Sequence, residues 1–230
     1  MDRSALVTGG TGGLGLAVTT AFLEAGWRVV VPVHDAAGRG RLDAHPRLVL
    51  EPADLLDPAS AAAVTAIAAG DEDAPLRAVV NLVGGYAAGG RVHETPVEEY
   101  EAQLRLNLRP AYLVCAAALG PLRAAGGGAI VCVSSRAALR PFSGAAGYIV
   151  SKAALLSFVD VLATEYRDDA IRANAILPSV IDTPSNRRAM PDADHARWVP
   201  PERIAEVVRF LCEDDSTAIS GAHVPVYGRA

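Results

Sequence analysis

Short apolar runs alternate with longer stretches of helical spacing along the whole chain. Residues 3–8 (RSALVT) form an apolar run that turns at once into GGTGGLG. Residues 14–25 then carry helical spacing, and Gly26 ends them. Residues 28–33 (RVVVPV) read as a second strand, 36–44 as a short helix, 48–50 as a third strand and 59–69 as an Ala-rich helix with a smooth face for a sheet. Residues 78–83 (AVVNLV) and 129–133 are continuous, β-branched runs of the kind found in parallel strands buried on both faces. Residues 96–122 and 148–166 predict two long helices. Residues 171–177 (IRANAIL) predict a strand, 201–212 an amphipathic helix, and 222–226 a last strand that Pro225 marks as an edge or an end. Between them, 178–198 lacks apolar periodicity, as lids and binding loops do.

About seven strands alternating with six helices predict an α/β fold: one doubly wound, seven-stranded parallel sheet flanked by helices, with right-handed crossovers. Neither linker, repeat nor composition break appears, so residues 1–230 are expected to form a single domain. Hydrophobic residues make up 51% of the chain and mean hydropathy is +0.24, enough for a large core. The net charge of −5 without a basic stripe argues against a nucleic-acid partner. No apolar run reaches the roughly 18 residues of a membrane span, and the N-terminus enters a strand without a signal-peptide pattern. A cytoplasmic protein acting on a small molecule is expected. Cys115, Cys132 and Cys212 are widely spaced, lack metal-ligand spacing, and read as small buried hydrophobes of a reducing compartment. No metal site is expected.

Candidate chemistry centres on residues 135–152. Ser135 precedes Tyr148 by thirteen residues, and Lys152 follows it by four, which on a helix puts phenol and ammonium on one face. The chain has 20 Arg and a single Lys, and Lys152 is that residue. Lysine differs from arginine as a compact, rotatable ammonium with three donors. A Tyr-x-x-x-Lys pair by itself is usually a surface contact, so the rest of the chain has to decide. Strand, glycine turn, helix is the context of a dinucleotide site, where glycines allow close approach of the backbone to a pyrophosphate and the helix N-terminus offers free N–H groups. Here the spacing is Thr8-Gly9-x-x-x-Gly13-x-Gly15, one residue longer than the GxGxxG turn, and no Gly-Lys-Ser/Thr follows as in a P-loop. A second cluster, Gly84-Gly85-Tyr86-Ala-Ala-Gly-Gly, lies at a strand's C-terminal end, where open α/β sheets bind ligands. Asn107 sits inside a predicted helix, where Asn is a poor choice unless it has a polar task.

Taken together, these residues resemble the short-chain dehydrogenase/reductase family over nearly the whole chain. The glycine turn matches the family's cofactor turn, Asp54 its adenine-binding acid, and Asn81 the start of its Asn-Ala-Gly element, here Asn-Leu-Val-Gly-Gly. Asn107, Ser135, Tyr148 and Lys152 fall at its catalytic tetrad positions. Pro178 and Thr183 match its Pro-Gly-x-x-x-Thr element, with Ser179 in place of Gly. The resemblance implies a cofactor site built from Thr8, Gly9, Thr11, Gly13, Leu14, Gly15, His34, Asp54, Leu55, Asn81, Gly84, Lys152, Pro178, Ile181 and Thr183. Residues 84–90 and 182–194 are also similar to segments of dihydropteridine reductases. Those enzymes lack the serine found here at Ser135, so the likeness covers loop shape and not the pterin substrate.

The activity implied is hydride transfer between a nicotinamide and a carbonyl or alcohol, with Tyr148 as general acid/base, Ser135 polarising the carbonyl oxygen, Lys152 also holding the nicotinamide ribose, and Asn107 keeping a water behind Lys152. A free tyrosine titrates near 10, and the neighbouring ammonium is expected to lower that value. The family's NAD-selecting acid would fall at Val33, which is apolar, and His34 follows it. NADP(H) is therefore favoured over NAD(H), although Asp35 could reach the ribose and reverse this. Tyr86, residues 136–144 (Arg136 among them) and 184–198 (with Trp198) are expected to line the substrate pocket. The arginines of 184–198 imply no anionic substrate, because this chain uses Arg at every surface, and His195 reads as a loop histidine. The two long helices have more apolar face than one sheet side needs, and in the family they build dimers and tetramers, so a homotetramer or homodimer is expected. Rival readings are a pteridine-type reductase, a non-catalytic cofactor-binding regulator on the same fold, and a sugar-nucleotide epimerase. The last lacks room here for its extra C-terminal domain.

Overall fold

In the computed structural model, residues 2–34 and 36–229 are described. Seven strands, β1 (Ser4–Thr8), β2 (Arg28–Val33), β3 (Leu48–Pro52), β4 (Leu76–Asn81), β5 (Gly128–Val133), β6 (Ile171–Pro178) and β7 (His223–Val226), form one sheet. Their order is β3-β2-β1-β4-β5-β6-β7, and every pairing is parallel. The order reverses between β1 and β4, so a crevice opens above the C-terminal ends of these two strands. Pro225 lies on the edge strand β7, opposite Leu177 of β6, where its missing N–H costs no ladder bond.

The alternation of side chains along the strands divides the core into two layers. On one face, Leu6, Val79, Ile130 and Ala173 pack with helices α3 (Pro58–Ala69), α4 (Val97–Ala124) and α5 (Ala146–Glu165). On the other, Ala5, Val7, Val80 and Val131 pack with α1 (Gly13–Glu24) and α7 (Pro201–Cys212). Short α2 (Ala36–Arg39) follows β2, and α6 (Pro184–Ala189) lies in the long segment after β6. The helix count is thus seven rather than six among the described residues. Apolar spacing misses α6 because it buries no side chain; Thr183 caps it and Pro184 starts it.

α5 has the length and hydropathy to cross a membrane. Its Leu155, Val159 and Leu162 instead fill the core beside α4. Gly147 permits that packing: a Cβ there would come within 3.1 Å of the Tyr100 Cα and the Gln103 Cβ on α4. The close approach fixes the first turn of α5 at Gly147, one residue before Tyr148.

Candidate active site

The glycine turn folds on itself after β1. Gly9 takes φ +66°, the Gly12 N–H donates to the Gly9 carbonyl at 2.9 Å, and α1 begins at Gly13. A Cβ at Gly15 would stand 2.0 Å from that carbonyl oxygen, and one at Gly13 would stand 2.8 Å from Thr183 Cγ2. No side chain caps α1, and its first turn holds no acid. Its leading N–H groups are therefore free for an anion. This cradle fits the pyrophosphate of a dinucleotide. Thr11 lies in the turn, and Leu14 lines the cleft above it.

Other residues of the expected cofactor set divide by position. The Thr8 hydroxyl accepts from the Leu82 N–H at 3.2 Å, so it ties β1 to the end of β4 and supports the turn from below. Asp54 is exposed at the end of β3, its Oδ1 accepting from the Leu56 N–H at 2.9 Å, beside buried Leu55. Val33 is buried and His34 exposed at the end of β2; Asp35 lies outside the described residues. Gly84, Pro178 and Ile181 line the cleft. Thr183 closes the far side, its hydroxyl accepting from the Asn186 N–H at 3.2 Å. Asn81 points elsewhere. Its Nδ2 donates to Cys115 Sγ at 3.3 Å and Cys132 Sγ at 3.6 Å, and its buried Oδ1 has no hydrogen-bond partner. The side chain belongs to the core beneath the site rather than to the nucleotide surface.

Ser135, Tyr148 and Lys152 meet above the end of β5. Two hydrogen bonds staple α5 to that strand. The Lys152 ammonium donates to the Val133 carbonyl at 2.9 Å, and the Ser134 hydroxyl donates to the Lys152 carbonyl at 2.7 Å. The doublet Ser134-Ser135 thus splits its work: one hydroxyl anchors the helix and the other faces the cleft. Sequence reasoning singled out Ser135 of this doublet, and missed both Ser134 and the Val133 carbonyl.

The electrostatics correct one expectation. The Tyr148 phenol is not lowered by its lysine but raised above its ordinary value. Burial is the main cause, the hydrogen bond with Ser135 opposes it, and nearby Tyr86 adds to it. Lys152 is itself fully enclosed, and burial lowers its ammonium to about 8, with Cys132 partly offsetting the drop. Desolvation disfavours the charged form of each group, and the ammonium is spent on the Val133 carbonyl.

Asn107 is buried in α4. Its Oδ1 accepts from the Gly85 N–H at 2.9 Å, and its Nδ2 donates to the Gly85 carbonyl at 3.1 Å and to the Gln103 carbonyl at 3.1 Å. Its amide thus anchors the second glycine loop, a task beyond the expected one of keeping a water behind Lys152. A Cβ at Gly84 would lie 2.6 Å from Asn107 Oδ1 and 3.0 Å from Lys152 Nζ, so only glycine lets the loop close over both.

The cleft has a volume of about 930 Å³. Tyr86, 62% exposed, lays its ring edge-on to Tyr148, with centroids 5.0 Å apart and planes at 87°, and its other side faces Phe142 at 6.5 Å. Arg136, Arg140, Phe142, Asn186, Met190, Arg197 and Trp198 complete the walls. Trp198 is buried and stacks on His195 at 4.3 Å; the His195 Nε2 bonds the Met190 carbonyl at 2.9 Å. That histidine is a loop residue, as expected.

Cys115 and Cys132, distant in sequence, are neighbours in the core under this site. Hydrogen bonding to Cys132, then burial, holds the Cys115 thiol well above its ordinary value.

A doubly wound parallel sheet with an anion cradle at its switch point and a Ser, Tyr, Lys cluster beside it defines a nucleotide-dependent oxidoreductase architecture. Residues 9–228 match the family model described as enoyl-(acyl carrier protein) reductase. The chain is 32% identical to 2-(R)-hydroxypropyl-CoM dehydrogenase of Xanthobacter autotrophicus, covering 99% of this chain and 98% of that one. A solved short-chain oxidoreductase from Burkholderia thailandensis superposes with a TM-score of 0.89 at 30% identity, covering 99% and 92% of the two chains. ElxO, solved with NADP bound, shares the fold with a TM-score of 0.91 at 21% identity, covering 99% and 98%. The chain belongs to the short-chain dehydrogenase/reductase family of oxidoreductases.

Proposed function

We propose that the protein is an NAD(P)-dependent carbonyl reductase or alcohol dehydrogenase in which Tyr148 is the general acid/base. The observation that carries this reading is the convergence of Ser135, Tyr148 and Lys152 on one cleft, whose wall reaches Leu14 at the start of the helix after the glycine cradle. The nicotinamide, when bound, supplies or accepts the hydride. Tyr148 donates its proton to the carbonyl oxygen as negative charge develops there. A raised phenol pKa keeps that proton in place near neutrality, which suits the reductive direction. Ser135 donates a hydrogen bond to the same oxygen. Lys152 contributes the ribose contacts and a nearby positive charge, and Asn107 supports it by fixing the loop at Gly84 and Gly85.

NADP(H) is favoured over NAD(H), because apolar Val33 offers no carboxylate to repel a 2′-phosphate. Fluorescence titration with NADPH and NADH tests this. Tighter NADPH binding is expected, and tighter NADH binding would assign the ribose to Asp35. The family assignment is consistent with a cytoplasmic enzyme. A homotetramer or homodimer would cover the α4–α5 groove of about 670 Å³, where Tyr112 and Phe158 stack at 5.8 Å beside Leu104 and Leu108.

Tyr148→Phe is the decisive experiment. It should cut kcat by roughly 1,000-fold or more and leave NADPH affinity intact. Turnover surviving that change would remove Tyr148 from the mechanism. A pteridine-type reductase is the second reading, suggested by the sequence resemblance of residues 84–90 and 182–194, of which Gly84, Gly85, Tyr86, Asn186, Met190 and Asp194 line the cleft. Assay with quinonoid dihydropterin separates it from a ketone reductase.

A further inference from the structure

The charge of the cleft is opposite to that of the chain. The protein carries a net −5, yet the cleft is lined by Arg136, Arg140, Arg197 and Lys152 against the single carboxylate of Asp194. That carboxylate caps its own turn, accepting from the Ala196 N–H at 3.2 Å. Arg197 donates to the Arg229 carbonyl at 3.2 Å. Arg136 and Arg140 are different. Among the described residues neither guanidinium makes an ion pair or a side-chain hydrogen bond; the one contact of Arg136 is with the Tyr227 ring, 5.6 Å from its centroid.

These two arginines also sit where a substrate would extend. The chain leaves Ser135 into the turn Arg136–Ala138, and the Arg140 N–H donates to the Arg136 carbonyl at 3.0 Å. This bond folds the chain back within the turn, and both side chains line the cleft. They share a wall with Tyr86 and Phe142, the exposed rings beside the Tyr148 phenol. The turn follows β5, two strands from β1 and its glycine cradle, about 10 Å across the sheet, so a pyrophosphate held at the cradle does not neutralise them. Arginine on every surface explains single exposed guanidiniums. It does not explain two guanidiniums outside any ion pair that line one cleft with exposed aromatic rings and Ser135.

We propose that the substrate is an organic acid: a ketone or secondary alcohol with an apolar, ring-bearing body, whose carboxylate or sulfonate is bound by Arg136 and Arg140. The rings of Tyr86 and Phe142 take the body, the paired guanidiniums take the acid by charge-assisted hydrogen bonds, and the oxygen to be reduced lies at Ser135 and Tyr148. This assignment rests on the reductase reading for the last contact only.

Calorimetric binding of 4-acetylbenzoate, 4-acetylbenzenesulfonate and neutral 4-acetylbenzamide to the protein with saturating oxidised cofactor tests the proposal, because the ketones cannot be reduced under those conditions. At least one acid should bind about tenfold tighter than the amide or better, and that preference should fall to roughly threefold or less in Arg136→Gln/Arg140→Gln. High salt should weaken the acid and spare the amide. If the double variant fails to fold, Arg140→Gln alone, at an exposed position, should lose part of the preference. Equal binding of amide and acids, no binding of any of the three, or a preference unchanged in the variants would overturn the proposal. Preferred binding of an acid that is never reduced with NADPH or NADH would leave the anion site standing and overturn the reductase reading instead.

Discussion

The Lys152 ammonium donates to the Val133 carbonyl at 2.9 Å, and the enclosure that aims it there lowers its pKa from 10.5 to about 8. Below pH 8 the folded and unfolded chains both hold this proton, and the folded chain carries the whole cost of a buried charge. Between about 8 and 10.5 the unfolded chain binds more protons, so stability rises with pH, with a slope approaching about 1.4 kcal/mol per unit. The stability of wild type relative to Lys152→Met should therefore improve from pH 8 to pH 10, measured by urea unfolding. A flat difference would mean that the ammonium is solvated.

Tyr86 is the other neighbour that shapes this cluster, through the Tyr148 phenol. Its ring shields the Tyr148 phenol from water, and both burial and Tyr86 itself push that phenol up. Tyr86→Ala should hydrate the phenol, move the alkaline limb of the activity profile to lower pH, and raise KM severalfold. Tyr86→Phe keeps the ring and should preserve most of KM. Identical pH profiles in wild type and Tyr86→Ala would show that the ring does not control the phenol.

Two glycine substitutions should differ in what they cost. Gly15→Ala forces a methyl to within 2.0 Å of the Gly9 carbonyl. It should cost about 2 kcal/mol or more and abolish nucleotide binding, read by thermal unfolding with and without NADPH. Gly120 lies exposed within α4 with nothing within 4 Å of an added Cβ. Gly120→Ala should leave nucleotide affinity unchanged and gain little stability, because a Cβ directly before Pro121 crowds the proline ring and offsets the helix preference of alanine.

All three thiols are free and buried, and burial, aided by Glu213 and opposed by Arg172 and Arg3, raises Cys212 to about 12. An aromatic disulfide reagent at pH 8 should label none of them in the native chain within minutes, and all three in denaturant. Fast native labelling of one cysteine would place an opening motion at that site. Loss of the Cys115 and Cys132 signals from the denatured, unreduced chain would indicate a disulfide between them.

Much of this protein is legible before folding is considered. The β-branched runs and glycine punctuation predict the parallel sheet, because a strand buried on both faces has to be apolar at every position. Ser135, Tyr148 and Lys152 are legible because helical periodicity links two of them and the single lysine draws attention to itself. The weaker parts are those where a side chain's partner lies far along the chain. Asn81, matched to a cofactor element, points to two cysteines contributed by α4 and β5. Asn107 holds a glycine loop twenty-two residues upstream.

The sequence by itself determined the alternation of strands and helices, the glycine turn after β1 and the choice of Ser135, Tyr148 and Lys152 as the candidate group, since these depend on local spacing and on residue chemistry. Only the tertiary structure decided their electrical state and company. Burial raises Tyr148 and lowers Lys152 against the pairing that sequence suggests, because desolvation depends on what covers a group rather than on what neighbours it in the chain. The same holds for Arg136 and Arg140. In an arginine-rich chain they are indistinguishable from the rest until folding leaves them unpaired beside two aromatic rings and the site of reaction.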